Sequence, residues 1–472
     1  MEDNYYKLLK EHYSTKTNIR NELISLNSKL YLPKGTEYFF SDVHGEASAF
    51  LQLLKSASGN IRKKTSIHFG DTLLQSEQDK LADLVYNPKE VLHNLEINGE
   101  LTDDYLTITI HRLVSLFRFV STKYAKSYVK EKFKDCYTEI VDELVYTNDS
   151  EYNKKAYYDS LVENIVTYGA APDFIILIST LIQRISVDKL HVVGDIYDRG
   201  PSPHIIMDEL LTFPNVDIQW GNHDIEWMGA VAGSKALTAA CLANSIQYNN
   251  IDLLEDGYGI NLRPLYEFAI KTYSDDPASI FAPRLFDENI YDNIGSDTLA
   301  KMFKAISIIR YKLDGQLIER NKGFDMDDRN FLKHINFDDM TYKTEPLKDT
   351  HLPTVDPKDP LKLTEEEELI INALQLDFKR GVKINRHIDF LYENGSMYKV
   401  ENGSLLFHGC IPLNEDGTFT ELEIDGKLYS GKSLMDKFDD IARDAYYKND
   451  PYAIDVMSVS YTHLTLPTIC SV

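Results

Sequence analysis

The sequence lacks several features that would assign it to whole classes of protein. Its four cysteines are scattered over 472 residues without a Cys-x-x-Cys pair, which argues against a disulfide framework or a zinc knuckle and favours reduced thiols. No apolar run reaches the roughly 20 residues that cross a bilayer. The N-terminal segment MEDNYYKLLKEHYSTKTNIR has no apolar core like that of a signal peptide. These absences predict a cytoplasmic protein without a membrane partner.

Positive charge is also scarce. The chain has 50 basic against 74 acidic residues, which gives a formal net charge of −24. Because nucleic-acid phosphates bind to basic surfaces, we expect no nucleic-acid partner. Binding of a small anion would need a local positive charge, and metal ions could supply it. The hydrophobic fraction of 43% is ordinary for a globular protein, and the length suggests about two or three domains.

Four short apolar segments predict strands, and polar residues follow each of them directly. In chain order the segments are TEYFFSDVHGE, DKLHVVGDIYDRG, NVDIQWGNHDIEW and GSLLFHGCIP. The patterns also predict a helix within residues 1–34 and mostly helical structure over about 73–187 and 228–400. A Pro- and Asp-rich loop interrupts the second helical region at 348–360. Because open α/β sheets bind ligands beyond the carboxyl ends of their strands, we expect the four polar clusters to meet.

The four clusters combine residue types that bind divalent metal ions. They are Asp42-Val43-His44-Gly45, Gly194-Asp195-Ile196-Tyr197-Asp198-Arg199-Gly200, Gly221-Asn222-His223-Asp224 and His408-Gly409. Carboxylate, amide and imidazole donors suit Mn²⁺, Fe²⁺ or Zn²⁺, and the absence of cysteine argues against a structural zinc site. Asp42 and His44 lie two residues apart and could share one ion. A carboxylate such as Asp195 can bridge two ions about 3.5–4 Å apart.

Each cluster taken alone has an ordinary structural explanation. An Asp-x-His turn after a strand arises often by chance, Asn-His-Asp could cap a helix, and an isolated His-Gly pair carries little information. A second Gly-Asp pair, Gly70-Asp71, lacks the following aspartate and arginine and predicts only a turn or a helix cap. The occurrence of all four clusters in one order, each after a predicted strand, favours a functional site.

In this order the clusters resemble the signature of the calcineurin-like metallophosphoesterases, which runs Asp-x-His, Gly-Asp-x-x-Asp-Arg-Gly, Gly-Asn-His-Asp/Glu and His-Gly. The segments DVHGEASAFLQLLKSASGNIRKK and KAISIIRYKLDGQLIER, and the long helical region before VVGDIYDRGP, further resemble the class 3 fructose-1,6-bisphosphatases of Firmicute-type bacteria. The resemblance extends to about residue 457. It implies an α/β fold with a calcineurin-like β-sandwich core flanked by helices and interrupted by large helical insertions.

The resemblance also implies a division of the chain. An N-terminal helical segment would cover 1–34, and a metallophosphatase domain would cover 35–457 with helical insertions at about 73–187 and 228–400. It implies two divalent metal ions, with Mn²⁺ as the favoured ion. Asp42 and His44 would hold one ion and Asp195 would bridge both. The second ion would be held by Asn222 and His408.

For catalysis, the resemblance implies that His223 protonates the leaving alkoxide while Asp198 orients its ring. Arg199 would bind phosphate oxygens. The implied reaction is the hydrolysis of the 1-phosphate of fructose 1,6-bisphosphate to fructose 6-phosphate, a step of gluconeogenesis, by a hydroxide that two metal ions activate. The partner is then a small sugar bisphosphate, and a homo-oligomer is left open.

Other functions share the same motif core. Within the superfamily, the alternatives are a protein serine/threonine phosphatase and a dinucleotide hydrolase. A catalytically disabled scaffold is a non-enzymatic alternative. The retained Asp195, Asp198, Arg199 and His223 argue against the scaffold, because a dead site need not keep a general acid. The choice of substrate comes from the family resemblance and not from the spacing of the motifs.

The C-terminal end departs from the family pattern, which finishes with a further histidine in a Gly-His context. After His408 the chain has only His463, in SYTHLTLPTICSV, and no charged residue occurs from Val456 to Val472. A charged fraction of 26% would place about four charged residues there. We interpret 458–472 as a foreign tail that replaces the family's C-terminal part. In that case the second metal site lacks a ligand, and we expect weak metal binding and low activity.

Overall fold

Apolar residues at helical spacing dominate the sequence, and the fold is correspondingly rich in helices. The structure, a computed structural model, describes residues 2–132, 137–146, 154–284, 295–324 and 326–463. These residues form a mixed α/β protein, so the predicted fold class is confirmed at this level. The chain divides into two units, one of residues 1–38 and 51–189 and the other of residues 39–50 and 190–472.

The first unit is built mainly of helices. The helices before residue 189 are, in chain order, α1 Glu2–His12, α2 Lys16–Lys29, α3 Ala47–Ser56, α4 Asn60–Phe69, α5 Gln75–Tyr86, α6 Pro88–Ile97, α7 Asp103–Ser121, α8 Lys126–Glu131, α9 Thr138–Tyr146, α10 Lys155–Thr167 and α11 Ala171–Ser186. Of these, α3 begins in the second unit. An apolar stripe of α7 is buried: Leu113, Leu116, Phe117 and Val120 are each at most 3% exposed.

Two local predictions for this unit can be compared with the structure. Residues 1–34 contain two helices rather than one, because the Thr15 hydroxyl accepts a hydrogen bond from the Asn18 backbone N–H (3.1 Å) and caps α2. Gly70-Asp71 follows α4 as its C-cap and enters a short 3₁₀ turn, Gly70–Thr72, as expected of a turn or cap.

Among the described residues no single helix is long and apolar enough to cross a membrane. Within the described part of the chain one pair of helices, α10 and α11 bent by 115° to each other, meets those limits when taken together.

The second unit contains the strands and the remaining helices. The strands are β1 Glu37–Ser41, β2 Lys189–Val193, β3 Val216–Gln219, β4 Ile335–Asn336, β5 Thr341–Tyr342, β6 Glu345–Pro346, β7 Gly395–Ser396, β8 Tyr398–Glu401, β9 Ser404–Phe407, β10 Leu422–Ile424 and β11 Lys427–Tyr429; the first residues of β1 and β2 belong to the first unit. The helices are α12 Pro203–Thr212, α13 Asn222–Ala232, α14 Lys235–Gln247, α15 Arg263–Thr272, α16 Ser296–Arg320, α17 Glu365–Arg380, α18 Val382–Asn394, α19 Gly431–Lys448 and α20 Pro451–His463.

The main sheet has four strands in the order β1-β2-β3-β7. Strands β2 and β3 are parallel, with Leu190 opposite Val216 and Val193 opposite Gln219, and β3 is also parallel to β7. Both faces of β2 are covered, because Leu190 and Val192 on one face and His191 on the other are all fully buried. The carboxyl ends of β2 and β3 therefore lie at the same edge of the sheet, as expected.

The fourth predicted strand forms but pairs differently. Residues Ser404–Phe407 are β9, which pairs antiparallel with β8 in a separate two-stranded sheet, and the fourth strand of the main sheet is the short β7. The turn Asn402-Gly403 explains the pairing, because both residues have positive φ (50° and 80°) and connect neighbouring antiparallel strands. His408 thus follows a hairpin strand rather than a strand of the main sheet.

The predicted foreign tail at 458–472 falls mostly outside the described residues. Helix α20 extends to His463, and residues 464–472 are not among those described. The last described side chains, Val456, Met457 and Ser458, are buried.

Candidate active site

The loops that follow β1 and β2 run side by side and hold each other through the backbone. The N–H of Asp42 donates to the Gly194 carbonyl (3.2 Å), that of His44 to the Asp195 carbonyl (2.8 Å) and that of Gly45 to the Ile196 carbonyl (2.8 Å). These hydrogen bonds keep the two chain segments side by side beyond the ends of β1 and β2. It brings the Asp-x-His cluster and the Gly-Asp cluster together, although they are about 150 residues apart in sequence.

Five residues of these loops have a left-handed backbone, although none is a glycine. The φ values are 52° at Asp42, 45° at His44, 55° at Asp195, 75° at Asp198 and 65° at Arg199. Such conformations cost on the order of 1 kcal/mol each for a residue with a Cβ atom, and they persist only where the surroundings enforce them. Their concentration in two loops that carry predicted site residues is what a functional site would produce.

Asp224 fixes the loop after β2 and was missed as a positioning residue by the sequence analysis. Its side chain is fully buried and accepts backbone N–H bonds from Gly221, Asp195 and Ile196, all at 2.9 Å, and a longer one from Tyr197 at 3.3 Å. Its position at N3 of α13 was the available signal, because an acidic residue there caps the helix start.

Gly221, which precedes α13, permits a close approach to the same loop. A Cβ atom at this position would lie 2.4 Å from the Asp195 backbone nitrogen, so any larger residue would push the two loops apart. The N–H of His223 donates to the Asp195 carboxylate (3.2 Å). Asn222, the first residue of α13, therefore lies between two residues that directly neighbour Asp195.

Three of the predicted metal ligands converge. Donor atoms of Asp42, Asp195 and His408 all lie within 4.8 Å of one another, with Asp42 exposed and Asp195 buried. The Nε2 atom of His408 is 3.2 Å from Asp195 Oδ2, and the Nε2 atom of His44 is 3.9 Å from the same oxygen. His408 thus shares a cluster with Asp42, whereas the family resemblance implies different ions for these two residues.

Backbone carbonyls orient both imidazole rings. Nδ1 of His408 lies 3.0 Å from the Val193 carbonyl oxygen, and Nδ1 of His44 lies 3.3 Å from the Tyr197 carbonyl oxygen. A carbonyl can only accept, so Nδ1 is the protonated nitrogen of each ring and Nε2 faces Asp195. This second contact is the usual partner of a metal-binding histidine, because it sets the tautomer that leaves the other nitrogen available as a ligand.

The electrostatics of the cluster depend on histidines. Burial disfavours ionisation of Asp195, yet the hydrogen bond from His408 and the charges of His408, His223 and His44 lower its pKa. Burial likewise opposes protonation of His408, but its contact with Asp195 raises its pKa to about 9. Among the described residues no lysine or arginine forms an ion pair with Asp195. The His408 imidazolium supplies positive charge beside Asp195, and a cation bound at its Nε2 would displace the proton there.

His223 lies between two carboxylates. Its Nε2 is 3.2 Å from Asp198 Oδ2, and its Nδ1 is 3.5 Å from Glu226 Oε2. Burial lowers the pKa of His223, but Glu226, Asp198 and Asp195 outweigh burial and raise it to about 9. The ring centroid lies 5.9 Å from that of His44, which brings His223 to the metal-ligand cluster. Glu226 was missed, although its spacing of three residues on one helix places it beside His223.

Arg199 is beside Asp198, with its Nε 3.8 Å from Asp198 Oδ2 and its side chain 53% exposed. The exposed guanidinium can reach a ligand from solvent. Its backbone is fixed, because Asn250 donates to the carbonyls of Arg199 (2.9 Å) and Gly200 (3.2 Å). Contacts thus join Arg199, Asp198 and His223, and His223 lies beside carboxylate and imidazole donors of the kind that divalent first-row metals prefer.

Comparison with known proteins agrees with this chemistry. A sequence model of the family described as "Firmicute fructose-1,6-bisphosphatase" matches residues 4–464. "Fructose-1,6-bisphosphatase class 3" of Clostridium tetani is 47% identical over 462 residues, which cover 96% of this chain and 70% of that protein. The proteins of the same name from Clostridioides difficile and Listeria innocua are 46% and 42% identical, and each alignment covers 97% of this chain and 70% or 72% of the relative. No solved structure matches the chain. By the family match and these identities, the chain belongs to the Firmicute fructose-1,6-bisphosphatase family.

Proposed function

We propose that this protein is a phosphatase that hydrolyses the 1-phosphate of fructose 1,6-bisphosphate to give fructose 6-phosphate and inorganic phosphate. The convergence of Asp42, Asp195 and His408 beside His223 carries the proposal, because it joins a cation-binding cluster to a proton donor. The relatives are named for this reaction and align over nearly the whole chain. The reaction belongs to carbohydrate metabolism and serves gluconeogenesis.

We further propose that two divalent ions, most suitably Mn²⁺, bind to five side chains: Asp42, His44, Asp195, Asn222 and His408. The donor set fits, because oxygen and imidazole ligands surround a buried carboxylate that no lysine or arginine of the described residues neutralises. When bound, such ions supply positive charge for phosphoryl oxygens and make a nucleophile of water at neutral pH. Asp195 would help to hold both ions; in the structure one of its oxygens accepts the His223 backbone N–H and the other faces the His408 ring.

The chain's own residues would perform the remaining work. His223 would donate a proton from Nε2 to the oxygen that leaves with the sugar, and Asp198 would hold that N–H until the substrate arrives. Arg199 would bind two phosphoryl oxygens with its planar guanidinium. No covalent bond between enzyme and phosphate is needed in this scheme.

We retain two structural proposals from the resemblance. One is a calcineurin-like core whose parallel strands β2 and β3 deliver the Gly-Asp and Gly-Asn-His clusters. The other is a single metallophosphatase domain over 35–457, with helical insertions at about 73–187 and 228–400 after an N-terminal helical segment at 1–34. Both concern how the site is built rather than which reaction it performs.

The direct test is a substrate screen with Mn²⁺ present. We expect phosphate release from fructose 1,6-bisphosphate, with kcat/KM at least about 100-fold above that for a phosphopeptide or a dinucleotide. A site that makes polar contacts to its correct substrate discriminates at least this strongly against compounds that cannot make them. A preference for the phosphopeptide or the dinucleotide would favour the alternative enzymes. Retained metal without hydrolysis of any substrate would favour the scaffold.

A further inference from the structure

A buried carboxylate directly behind His223 has no role in the scheme above. Glu226 lies one turn further along α13 and its side chain is only 1% exposed. Oε2 of Glu226 is 3.5 Å from Nδ1 of His223, and that nitrogen is itself buried. A carboxylate in such a place is costly to desolvate unless it is paired, so its presence needs a reason.

Glu226 is also held by a residue of a second helix. The Nδ2 group of Asn244, on α14, lies 3.1 Å from Oε1 and 3.2 Å from Oε2 of Glu226. One amide group shared by both oxygens fixes the plane of the carboxylate. Contacts from Asn244 to Glu226 and from Glu226 to His223 therefore link α14 to the orientation of the His223 ring on α13.

The two nitrogens of the His223 ring are not equivalent. Nδ1 faces the buried Glu226 on its own helix, whereas Nε2 faces Asp198 in the loop that carries Asp195. A ring flipped by a half-turn about χ2 would present Nδ1 to the loop instead. Because Glu226 can only accept, it favours the state in which Nδ1 keeps its proton in the interior and Nε2 points to the site.

We propose that Glu226, itself fixed by Asn244, is a positioning residue that orients His223 and makes Nε2 the nitrogen that delivers the proton. Asp198 then acts as the partner of Nε2 before the leaving oxygen displaces it. This inference rests on the proposed role of His223 as proton donor. It assigns to the residue behind the ring the orienting task that the sequence analysis gave to Asp198.

A comparison of leaving groups tests the proposal on the Mn²⁺-loaded enzyme. Fructose 1,6-bisphosphate releases an alkoxide that must be protonated, whereas p-nitrophenyl phosphate releases a phenolate that is stable without a proton. We expect Glu226→Gln to lower kcat for the sugar substrate by about 10- to 100-fold and for the aryl substrate by less than about 3-fold. KM should stay within about 3-fold for both. Glu226→Asp should recover part of the loss.

The matched control is Asp217→Asn, which makes the same chemical change away from the site. Asp217 is 6% exposed and pairs at 2.8 Å with Nδ1 of another buried histidine, His191. We expect it to leave the ratio of the two kcat values unchanged. Equal losses on both substrates for Glu226→Gln, or no loss on either, would show that Glu226 serves only packing and would overturn the proposal.

His223→Asn separates this proposal from the proposed function. It should lower kcat for the sugar substrate by about 100- to 10,000-fold and spare the aryl substrate, and Glu226→Gln added to it should cause no further selective loss. A His223→Asn enzyme without this selectivity would remove the proton-donor role and the positioning role together. Selectivity in His223→Asn but not in Glu226→Gln would overturn the positioning role alone.

Asn244→Ala provides a second variant in case Glu226→Gln does not fold. It leaves both members of the ion pair in place and removes only the contact that fixes the carboxylate. We expect the same selectivity with a smaller loss, about 3- to 10-fold in kcat on the sugar substrate. A folded Asn244→Ala enzyme with unchanged kcat values on both substrates would contradict the proposed support of Glu226.

Discussion

Two clusters in the second unit compensate buried charges in different ways. Around Asp195 the neighbouring cations of the chain are imidazoles, and the described residues bring no lysine or arginine into an ion pair with it. On α16, Lys304 and Lys312 are fully buried and each meets carboxylates directly. Lys304 pairs with Asp276 and Asp349, and Lys312 pairs with Glu367 at 2.7 Å.

The difference indicates what each cluster is for. Buried ions are tolerated when opposite charges and hydrogen bonds compensate them, and the α16 cluster achieves this with its own side chains. Lys312 also donates to the Thr354 carbonyl (2.6 Å), so the two lysines anchor the Pro- and Asp-rich loop 348–360 to the helix. Around Asp195 the negative charge is compensated by histidines, which can lose their protons when a metal ion binds. This arrangement suits the binding of cations and phosphate. We therefore expect changes at Asp195 to affect activity and changes on α16 to affect stability.

The largest effect is expected for Asp195→Asn. The amide keeps the size of the side chain but removes the charge shared by the proposed ions, so kcat/KM for fructose 1,6-bisphosphate should fall at least about 1,000-fold, more than the 10- to 100-fold typical of outer-shell changes. Elemental analysis of the folded variant should show loss of bound Mn²⁺. Full activity with retained metal would contradict the assigned role.

Lys304→Met should have the next largest effect, and on stability alone. The change removes the lysine shared by Asp276 and Asp349, although Asp276 keeps its contact with His351. Loss of one partner of a buried ion pair costs about 3–5 kcal/mol of unfolding free energy. Urea unfolding measures the loss, and kcat at low temperature should remain within about 3-fold of the parent.

The matched control on the same helix is Lys301→Met. Lys301 pairs with Asp297, whose side chain is 66% exposed, so water can replace the lysine. We expect a loss of about 1 kcal/mol or less. If the two variants unfold at the same urea concentration, the contrast between buried and solvated partners does not hold.

Arg199→Ala should have a moderate effect on substrate binding. The guanidinium is half exposed and contributes little to packing, so we expect kcat/KM to fall about 10- to 100-fold, with unfolding free energy unchanged within about 0.5 kcal/mol. Arg199→Lys should recover only part of the loss, because an ammonium cannot bind two oxygens in a fork. Arg263→Ala, at an 81% exposed arginine paired with Glu267, is the control and should change neither quantity.

The smallest effect concerns the response of stability to acid. Burial opposes ionisation of Asp276, but hydrogen bonds from Lys304, the Ala278 backbone N–H and His351 lower its pKa to about 2. The unfolded value is about 3.9, so the contribution is complete above about pH 4 and is lost as pH falls toward 2. We expect this loss to be about 2 kcal/mol between pH 5 and pH 2. Urea unfolding between pH 5 and 2.5 should show a weaker pH dependence for Asp276→Asn, and an unchanged slope would remove Asp276 as its source.

Much of the site was accessible from the sequence because its ligands occur in short segments. Asp42 and His44 are two residues apart, and Asp195, Asp198 and Arg199 lie within five residues, so each segment displays its chemistry locally. Strand patterns before the first three segments correctly indicated an edge of one sheet. The pattern failed for the fourth strand, because a hairpin turn decides its pairing and an apolar run does not specify its neighbour.

The sequence by itself determined the donor types, their order along the chain, the mixed α/β class and the resemblance to a phosphatase family. Only the tertiary structure decided which distant residues touch: Asp195 with His408, 213 positions later, Glu226 with Asn244 on the next helix, and Lys304 with Asp349. The physical reason is that a motif records local geometry, whereas a buried contact depends on how separate elements pack. The sequence of a helix does not show whether one of its lysines or glutamates is buried, because burial depends on a partner from another element that packs against it.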